Sequence, residues 1–382
     1  MPRSIYMDYN ATVPVRPEAA AAVAQALAVT GNASSVHGFG RAARRLIEAA
    51  REAVAALVGA ASAQVVFTSG GSEANNLALA GCGRARLLVS AGEHDSVLRA
   101  APTAERIALR SDGRVDLAAL EVLLASDSRP ALVSVMLANN ETGVIQPLAE
   151  VAELARRHGA LLHCDAVQAA GKIPIDMAVL GIDLLSLSAH KLGGPQGVGA
   201  LVLSDRVALA PLIRGGGQER RRRAGTENLP GIAGFGTAAR IAADALATFA
   251  ELALLRDELE TRLARIASDM TIFSGAAPRL ANTSCFTMPG TSAETQVMAL
   301  DLAGIAVSAG AACSSGKLEP SQVLRAMGAS ETEAGQAIRV SLGWQSVAAD
   351  IEAFAAAWGQ LYERRAAARY AERQDEQQRA AL

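Results

Sequence analysis

A lysine stands at the end of a short apolar run, among residues small enough to let a ligand reach it. Lys191 closes a Ser-Ala-His-Lys tetrapeptide directly after the run 183–187, and Leu-Gly-Gly-Pro follows. A lysine amine becomes a nucleophile when its surroundings lower its pKa, and it then condenses with an aldehyde cofactor. Ser188 and His190 are placed to hold a phosphate beside that amine. The alternative is an ordinary loop lysine in a glycine-rich turn, and the tetrapeptide alone leaves both interpretations open.

An acidic residue closes another apolar run. Asp165 follows residues 160–164, which are typical of a buried strand. A carboxylate at a sheet edge needs a cationic partner, and a pyridinium nitrogen is one candidate, because an Asp–pyridinium pair lets pyridoxal phosphate act as an electron sink. Gln168 is close enough in sequence to reach the phenolic oxygen of that cofactor. A structural aspartate that caps the next turn is the other interpretation, and a metal site with His163 lacks a third ligand at a useful spacing.

Three further apolar runs end in polar residues. Gly71 and Ser72 follow the run 65–68 and open a helix, whose free N–H groups and positive end are suited to a phosphate. They match neither the GxxxxGK[ST] nor the GxGxxG phosphate motif, and strand–glycine–helix turns are common. His94 follows the run 86–90, where it can stack on a cofactor ring and move protons, although a lone histidine in such a place is often structural. Asn140 follows the run 131–137. Taken together, these strand ends describe one pyridoxal phosphate site.

The elements that must position these residues alternate along the chain. Short apolar runs at 65–68, 86–90, 131–137, 160–164, 184–188 and 199–203 are separated by several amphipathic stretches of helical length. Strands that are apolar on both faces predict an α/β fold with a mainly parallel, seven-stranded type of sheet, whose chemistry collects at the carboxyl edge.

The second half of the chain changes its pattern. Residues 229–266 are helical throughout, and candidate strands at 270–273, 305–308 and 337–342 then alternate with helices. We therefore predict a large cofactor-binding domain over 13–250 and a small α+β domain formed by 1–12 and 251–382. The Arg-, Glu- and Gln-rich end, 364–382, is expected to be a helix that frays into a solvated tail.

The four cysteines lie far apart, which excludes a disulfide framework and a paired-cysteine zinc site. Cys82, Cys164 and Cys285 are expected to be small buried hydrophobic residues. Cys313 lies among Ser, Ala and Gly from 308 to 316, so we expect a mobile loop that carries its thiol to a cofactor pocket and then to a partner.

Charge and hydropathy restrict the possible partners. The 382 residues include 36 Lys and Arg against 38 Asp and Glu, a formal net charge of −2. Nucleic acid is not expected as a partner, because phosphate backbones attract an excess of basic residues. No run of 18 apolar residues is present, so we expect a cytoplasmic protein with no membrane partner.

In combination, these motifs resemble the first group of cysteine desulfurases in the class V aminotransferase family, which are fold-type I pyridoxal phosphate enzymes. The resemblance extends from Tyr-Met-Asp-Tyr-Asn-Ala-Thr at residue 6 to Ile-Arg-Val-Ser-Leu-Gly at residue 338. It implies that Lys191 binds the cofactor covalently, that Asp165 meets its ring nitrogen and that Gln168 meets its ring oxygen. His94 would stack on the ring and assist catalysis, and Asn140 would lie beside cofactor and substrate.

The resemblance also implies how phosphate and substrate are held. Gly71, Ser72, Ser188 and His190 would bind the phosphate. Arg339 would pair with the carboxylate of L-cysteine, for which a guanidinium is the natural partner, helped by Asn10, Asn32 and Asn140. Thr226 would reach the phosphate in the neighbouring subunit of a homodimer. The four arginines 220–223 before it would then lie at the interface, whereas a run of arginines is otherwise a solvated face.

The cysteine segment matches the family pattern Ser-x-Gly-x-Ala-Cys-x-Ser-Gly over about 308–318. Cys313 would therefore take sulfur from L-cysteine as a persulfide, leave L-alanine and deliver the sulfur to an acceptor or iron–sulfur scaffold protein. No resident metal is implied, and Cys313 would be at most a transient iron–sulfur ligand. Ser72 stands where Thr is usual, and Gln322 stands where His is frequent, which leaves subfamily and partner open.

Two other functions remain open from the residues. A selenocysteine lyase or an aminotransferase of the same fold would need the same Lys191 and Asp165, but the aminotransferase would not need a thiol at Cys313. A non-catalytic scaffold of this fold would not be expected to keep Lys191, Asp165, His94 and Cys313 together.

Overall fold

Within residues 4–310 and 319–380, which the computed structural model describes, short strands alternate with helices. The strands are β1 (Ile5–Tyr6), β2 (Val65–Thr68), β3 (Arg86–Ser90), β4 (Glu105–Ile107), β5 (Ala131–Ser134), β6 (Leu161–Asp165), β7 (Leu184–Ser188), β8 (Gly199–Leu203), β9 (Thr283–Thr287), β10 (Ile305–Ala306), β11 (Ser308–Ala309) and β12 (Ala337–Ser341). The helices are α1 (Pro17–Leu27), α2 (Gly38–Leu57), α3 (Gly71–Gly81), α4 (Asp95–Leu98), α5 (Leu117–Ser126), α6 (Leu148–Arg157), α7 (Leu229–Asp244), α8 (Leu246–Ala250), α9 (Leu252–Ile266), α10 (Ala293–Leu302), α11 (Gln322–Ala326), α12 (Glu331–Gln336) and α13 (Ala348–Ala380).

Seven strands form one sheet in the order β2-β8-β7-β6-β5-β3-β4. β8 runs antiparallel to both of its neighbours, and the other adjacent pairs are parallel. The predicted α/β fold with a mainly parallel sheet is therefore confirmed. The apolar pattern does not predict β4, because its three residues, Glu-Arg-Ile, are mostly polar and lie at the edge of the sheet with a single neighbouring strand.

Alternate residues of the sheet strands enter two different apolar cores. Val65 and Phe67 of β2 belong to the core that α1, α2 and α7 cover, whereas Val66 belongs to the core that α3 covers. This period of two places helices on both faces, as a parallel sheet requires. No helix in the described part of the chain is long and apolar enough to cross a bilayer.

A separate core lies around α9 and α13. It is covered by an antiparallel sheet in the order β11-β12-β9 and by the parallel pair β1 and β10. Trp358 is fully buried there, with its ring centroid 6.0 Å from that of Phe286. The proposed division at residues 12 and 250 stays a prediction.

Three details of the C-terminal part differ from the sequence expectation. The helical stretch 229–266 is divided into α7, α8 and α9. Residues 270–273 form no strand: only Ile272 bridges to Phe286, and the true strand is β9, whose polar sequence Thr-Ser-Cys-Phe-Thr concealed it. The run 305–308 is shared between β10 and β11, because β10 pairs with β1 while β11 pairs with β12.

Candidate active site

A cavity of about 390 Å³ opens at the carboxyl edge of the seven-stranded sheet. It brings together most of the site residues that the sequence predicts: Asn10, Gly71, Ser72, His94, Asn140, Asp165, Gln168, Ser188, His190, Lys191 and Arg339. Asn32 and Thr226 are exposed and do not line it. Cys313 lies outside the described residues.

The amine of Lys191 is held just beyond the end of β7, in the single 3-10 turn Ala189–Lys191. Its Nζ donates to the carbonyl oxygens of Asn10, at 2.5 Å, and Ala11, at 2.8 Å. Burial, followed by the positive charge of Arg339, lowers the pKa of Lys191 to about 8. The amine is thus closer to its nucleophilic neutral form at physiological pH than an exposed lysine would be.

The carboxylate of Asp165 is buried at the end of β6. Its Oδ2 accepts a hydrogen bond from Asn75 Nδ2 at 2.7 Å, and its Oδ1 accepts from the Val167 N–H at 2.9 Å. The second bond is the turn cap that the alternative interpretation expected. Within the described residues, however, no basic side chain forms an ion pair with Asp165, so a cationic ligand would supply the partner that a buried carboxylate needs.

The residues expected to hold a phosphate lie at the start of α3 and the end of β7. Gly71 is in close contact with the opposite loop, since a Cβ on it would come within 2.8 Å of Val167 Cγ2 and 3.5 Å of Ser188 Cβ. His190 Nδ1 lies 3.2 Å from Thr12 Oγ1. Burial and then the Lys191 charge lower the pKa of His190 to about 4, so its imidazole is neutral at physiological pH.

His94 stands at the cavity rim as the N-cap of α4. Its Nδ1 accepts from the Ser96 N–H at 3.1 Å, which leaves the ring proton on Nε2. Ser96 Oγ in turn accepts from Asn75 Nδ2 at 2.8 Å. Asn75, which sequence reasoning missed, therefore connects His94 with Asp165. Its only signal is an asparagine one helical turn after Ser72.

The guanidinium of Arg339, on β12, is buried and incompletely paired. Its Nη2 donates to Asp8 Oδ1 at 2.6 Å and its Nη1 to the Asn140 carbonyl oxygen at 3.0 Å. Its Nε and the Asn140 Oδ1 are buried without a partner among the described residues. An unpaired buried donor is costly, so this site is suited to a ligand carboxylate.

A second lysine supports the floor of the cavity. Lys172 Nζ donates to Asn10 Oδ1 and to Gln168 Oε1, both at 2.9 Å. Gln168 Nε2 then donates to the Asn10 carbonyl oxygen at 2.8 Å. Burial lowers the pKa of Lys172 well below its usual range. Sequence reasoning missed this residue, because a single lysine after a glycine carries no pattern.

The arginine run turns back onto its own chain. Arg220 Nη1 donates to the Ala63 carbonyl oxygen at 2.8 Å, and Arg223 pairs with Glu73 of α3 at 2.9 Å. These contacts place the loop that leads to Thr226 beside the start of α3. Arg220 and Arg221 are nevertheless exposed, so the solvated face and the interface both stay predictions.

The remaining cysteines behave as the sequence predicts. Cys82, Cys164 and Cys285 are buried free thiols. Burial raises the pKa of each of them, most strongly at Cys164 and Cys285, which makes a reactive thiolate unfavourable there.

Known proteins resemble this chain over nearly its whole length. The aminotransferase class-V family matches residues 5–354. A cysteine desulfurase of Cereibacter sphaeroides is 47% identical over 363 residues, which cover 91% of this chain and 93% of that protein. An IscS-like cysteine desulfurase of Mycobacterium tuberculosis is 41% identical over 373 residues, again 91% of this chain and 93% of that protein. The solved structure of a NifS-like protein from Rickettsia africae has a TM-score of 0.89 at 37% identity, covering 94% of this chain and all (100%) of that one.

Proposed function

The chain belongs to the aminotransferase class-V family, and we propose that it is a pyridoxal phosphate-dependent cysteine desulfurase that converts L-cysteine to L-alanine and passes the sulfur to its own Cys313. One observation carries this proposal above the others. A lysine amine of lowered pKa lines the same cavity as a buried carboxylate and a guanidinium N–H that both lack a charged partner among the described residues. These groups are Lys191, Asp165 and Arg339.

The residues of the cavity fit pyridoxal phosphate, which when bound supplies an aldehyde for amines and a pyridinium ring that withdraws electrons. Asp165, held by Asn75, would pair with the ring nitrogen. Gln168 would meet the ring oxygen and His94 the face of the ring. The phosphate would be held by Ser72, Ser188 and His190 together with Gly71 and the free N–H groups of α3.

Three residues of the chain act on L-cysteine in different ways. Arg339 holds the substrate carboxylate through its free Nε–H, beside Asn140 and Asn10. Lys191 Nζ takes the proton from Cα and returns one, for which a pKa of about 8 is suited. His94 Nε2 is the proton carrier at the rim.

Cys313 is the sulfur acceptor of this proposal, on the strength of its sequence motif. As a thiolate it attacks the sulfur of the bound substrate and becomes a persulfide, while the carbon fragment takes up a proton and leaves as L-alanine. An acceptor or iron–sulfur scaffold protein then receives the sulfur.

The proposal includes a homodimer and a cytoplasmic location. Thr226 is exposed and lies outside the cavity of its own chain, as expected of a residue that serves the neighbouring subunit. Asn32 is exposed in the same way, and its Oδ1 accepts a local bond from the Ser34 N–H at 2.9 Å. The described cysteines are free thiols, which agrees with a reducing compartment.

The test combines two single variants. Lys191→Ala should abolish both the long-wavelength absorbance of the bound cofactor and sulfide release from L-cysteine. Cys313→Ser should still bind the cofactor and change its absorbance with L-cysteine, yet release no sulfide and carry no persulfide by mass spectrometry. A control with Cys82, Cys164 and Cys285 all changed to Ala should keep most of its turnover. Persulfide on one of these three during turnover, with Cys313 unmodified, would overturn the assignment, as would keto-acid formation in place of alanine.

A further inference from the structure

We propose that Asp8 and Glu141 are positioning residues that fasten the two ends of the Cys313 segment to the neighbourhood of Arg339. This inference rests on the proposed function for the role of Cys313, but its contacts are independent of any cofactor. The segment 311–318 lies outside the described residues, whereas the residues on both sides of it are described. Each end carries one serine whose hydroxyl donates to one of the two acids.

The first end is fastened through Asp8. Ser308, five positions before Cys313, donates from its Oγ to Asp8 Oδ2 at 2.8 Å. The other oxygen of the same carboxylate, Oδ1, accepts from Arg339 Nη2 at 2.6 Å. β11 also pairs with β12 so that Ser308 lies opposite Arg339. One carboxylate therefore bridges the guanidinium that would hold the substrate and the strand that leads to the thiol.

The second end is fastened through Glu141. Ser321 is 1% exposed and donates from its Oγ to Glu141 Oε2 at 2.5 Å. Glu141 is 5% exposed, and no described basic side chain forms an ion pair with it. It directly follows Asn140, whose carbonyl oxygen accepts from Arg339 Nη1 at 3.0 Å. Arg339 therefore donates to Asp8 itself and to the residue that directly precedes Glu141.

The two ends also meet each other. A Cβ on Gly310 would come within 3.1 Å of Ser321 Cβ, so the chain before the segment lies directly against the chain after it. The described residues on the two sides of the segment are therefore in contact, and their serines donate to Asp8, which pairs with Arg339, and to Glu141, which follows the Arg339 partner Asn140. We expect removal of either hydroxyl to loosen these flanking residues, whereas the bonds of Arg339 to Asp8 Oδ1 and to the Asn140 carbonyl oxygen do not involve either serine.

This arrangement has a consequence for the chemistry. Displacing a reacting group by about 1 Å costs on the order of a hundredfold in rate, whereas substrate binding through Arg339 does not need the thiol. Loss of either serine hydroxyl should therefore lower kcat for sulfide release roughly ten- to a hundredfold and leave KM for L-cysteine within about twofold. If the serine had only a structural role, its loss would lower the stability of the fold without lowering kcat selectively relative to KM.

The experiment compares Ser308→Ala and Ser321→Ala with Ser330→Ala. Ser330 is an exposed N-cap of α12 whose Oγ accepts from the Glu333 N–H at 3.2 Å, so its loss controls for the helix cap that Ser321 also provides at Leu324. Ser308→Thr keeps the hydroxyl and should restore most of the kcat that Ser308→Ala loses. Ser308 provides no helix cap, so its variant remains informative even when Ser321→Ala folds poorly.

A second readout uses the protein without cofactor. The rate at which iodoacetamide alkylates Cys313, followed by peptide mass spectrometry, should rise at least severalfold in both Ser→Ala variants and remain at the wild-type value in Ser330→Ala. Equal alkylation rates in all variants, or a kcat loss no larger than that of the control, would refute the proposal. A wild-type protein that releases no sulfide from L-cysteine contradicts the proposed function instead, and the alkylation rates then still decide the positioning.

Discussion

Replacing Glu219 by Ala should destabilise the fold by about 3 kcal/mol, because it leaves a guanidinium buried without its main partner. Glu219 Oε2 and Oε1 accept from Arg51 Nη1 and Nη2 at 2.6 and 2.8 Å, and both side chains are only 2–3% exposed. Glu219 Oε2 also accepts from the Phe67 N–H at 2.9 Å. Removal of one partner of a buried pair typically costs about 3–5 kcal/mol.

The structure places the expected value at the lower end of that range. Arg51 keeps its contacts to Glu48 at 3.2 Å and to the Val65 carbonyl oxygen at 2.9 Å. In addition, Glu219 and Arg220 have φ values of 43° and 54°, in the left-handed region that costs a non-glycine residue about 1–3 kcal/mol. Once the pair is lost, this turn can relax and offset part of the loss.

The assay is urea unfolding followed by circular dichroism, with Glu258→Ala as the control. Glu258 pairs with Arg262 at 2.6 Å, but the two side chains are 49% and 38% exposed, so its loss should cost about 0.5 kcal/mol or less. Adding Arg51→Met to Glu219→Ala should recover part of the stability, because it removes the uncompensated charge. A Glu219→Ala variant no less stable than the control, or strict additivity in the double variant, would refute this reasoning.

Two further predictions concern pH and subunits. Burial lowers the pKa of His163 from 6.5 to about 4, so between these pH values the unfolded chain binds a proton that the folded protein excludes. About 3 kcal/mol of the free energy of unfolding should therefore be lost as the pH falls from 6.5 to 4. In His163→Asn, urea unfolding should show a pH dependence of stability that lacks this contribution. An unchanged slope would contradict the assignment. Neither the Thr226→Ala nor the Lys191→Ala homodimer should be active, but a mixed dimer of the two chains should have one complete site of its two. Inactive mixed dimers, or activity in a verified monomer, would contradict a shared site.

The sequence predicts the cavity well because its residues follow apolar runs. Asp165 ends a strand that the apolar pattern locates, Lys191 and His94 lie within four residues of the ends of two others, and parallel strands bring their carboxyl ends to one edge. By contrast, Asp8 and Lys172 make their contacts with residues more than 150 positions away in the chain. Asp8 pairs with Arg339, and Lys172 donates to Asn10. Such contacts leave no local spacing in the sequence, so only the folded chain reveals them.

The strand errors have a different origin. β9 is fully buried although its sequence is mostly polar, because its polar side chains find partners inside the protein. Ser284, for example, donates to Glu260 at 2.6 Å, and Thr283 donates to Asn282 at 2.9 Å. An apolar pattern predicts strands that bury hydrocarbon, and it passes over a strand whose burial is compensated by hydrogen bonds.

The groups around Asp165 favour the interpretation that it pairs with a cationic ring over the interpretation that it is only a turn cap. Glu93 is buried nearby, and burial together with the negative charge of Asp165 raises its pKa well above the usual range. Glu93 Oε1 accepts from the Met136 N–H at 2.6 Å, and its Oε2 has no partner among the described residues. Glu93 therefore resists ionisation more than an exposed glutamate does. The second buried acid, Asp165, has no basic side chain paired with it among the described residues, and a turn cap alone gives no reason to bury it beside Glu93.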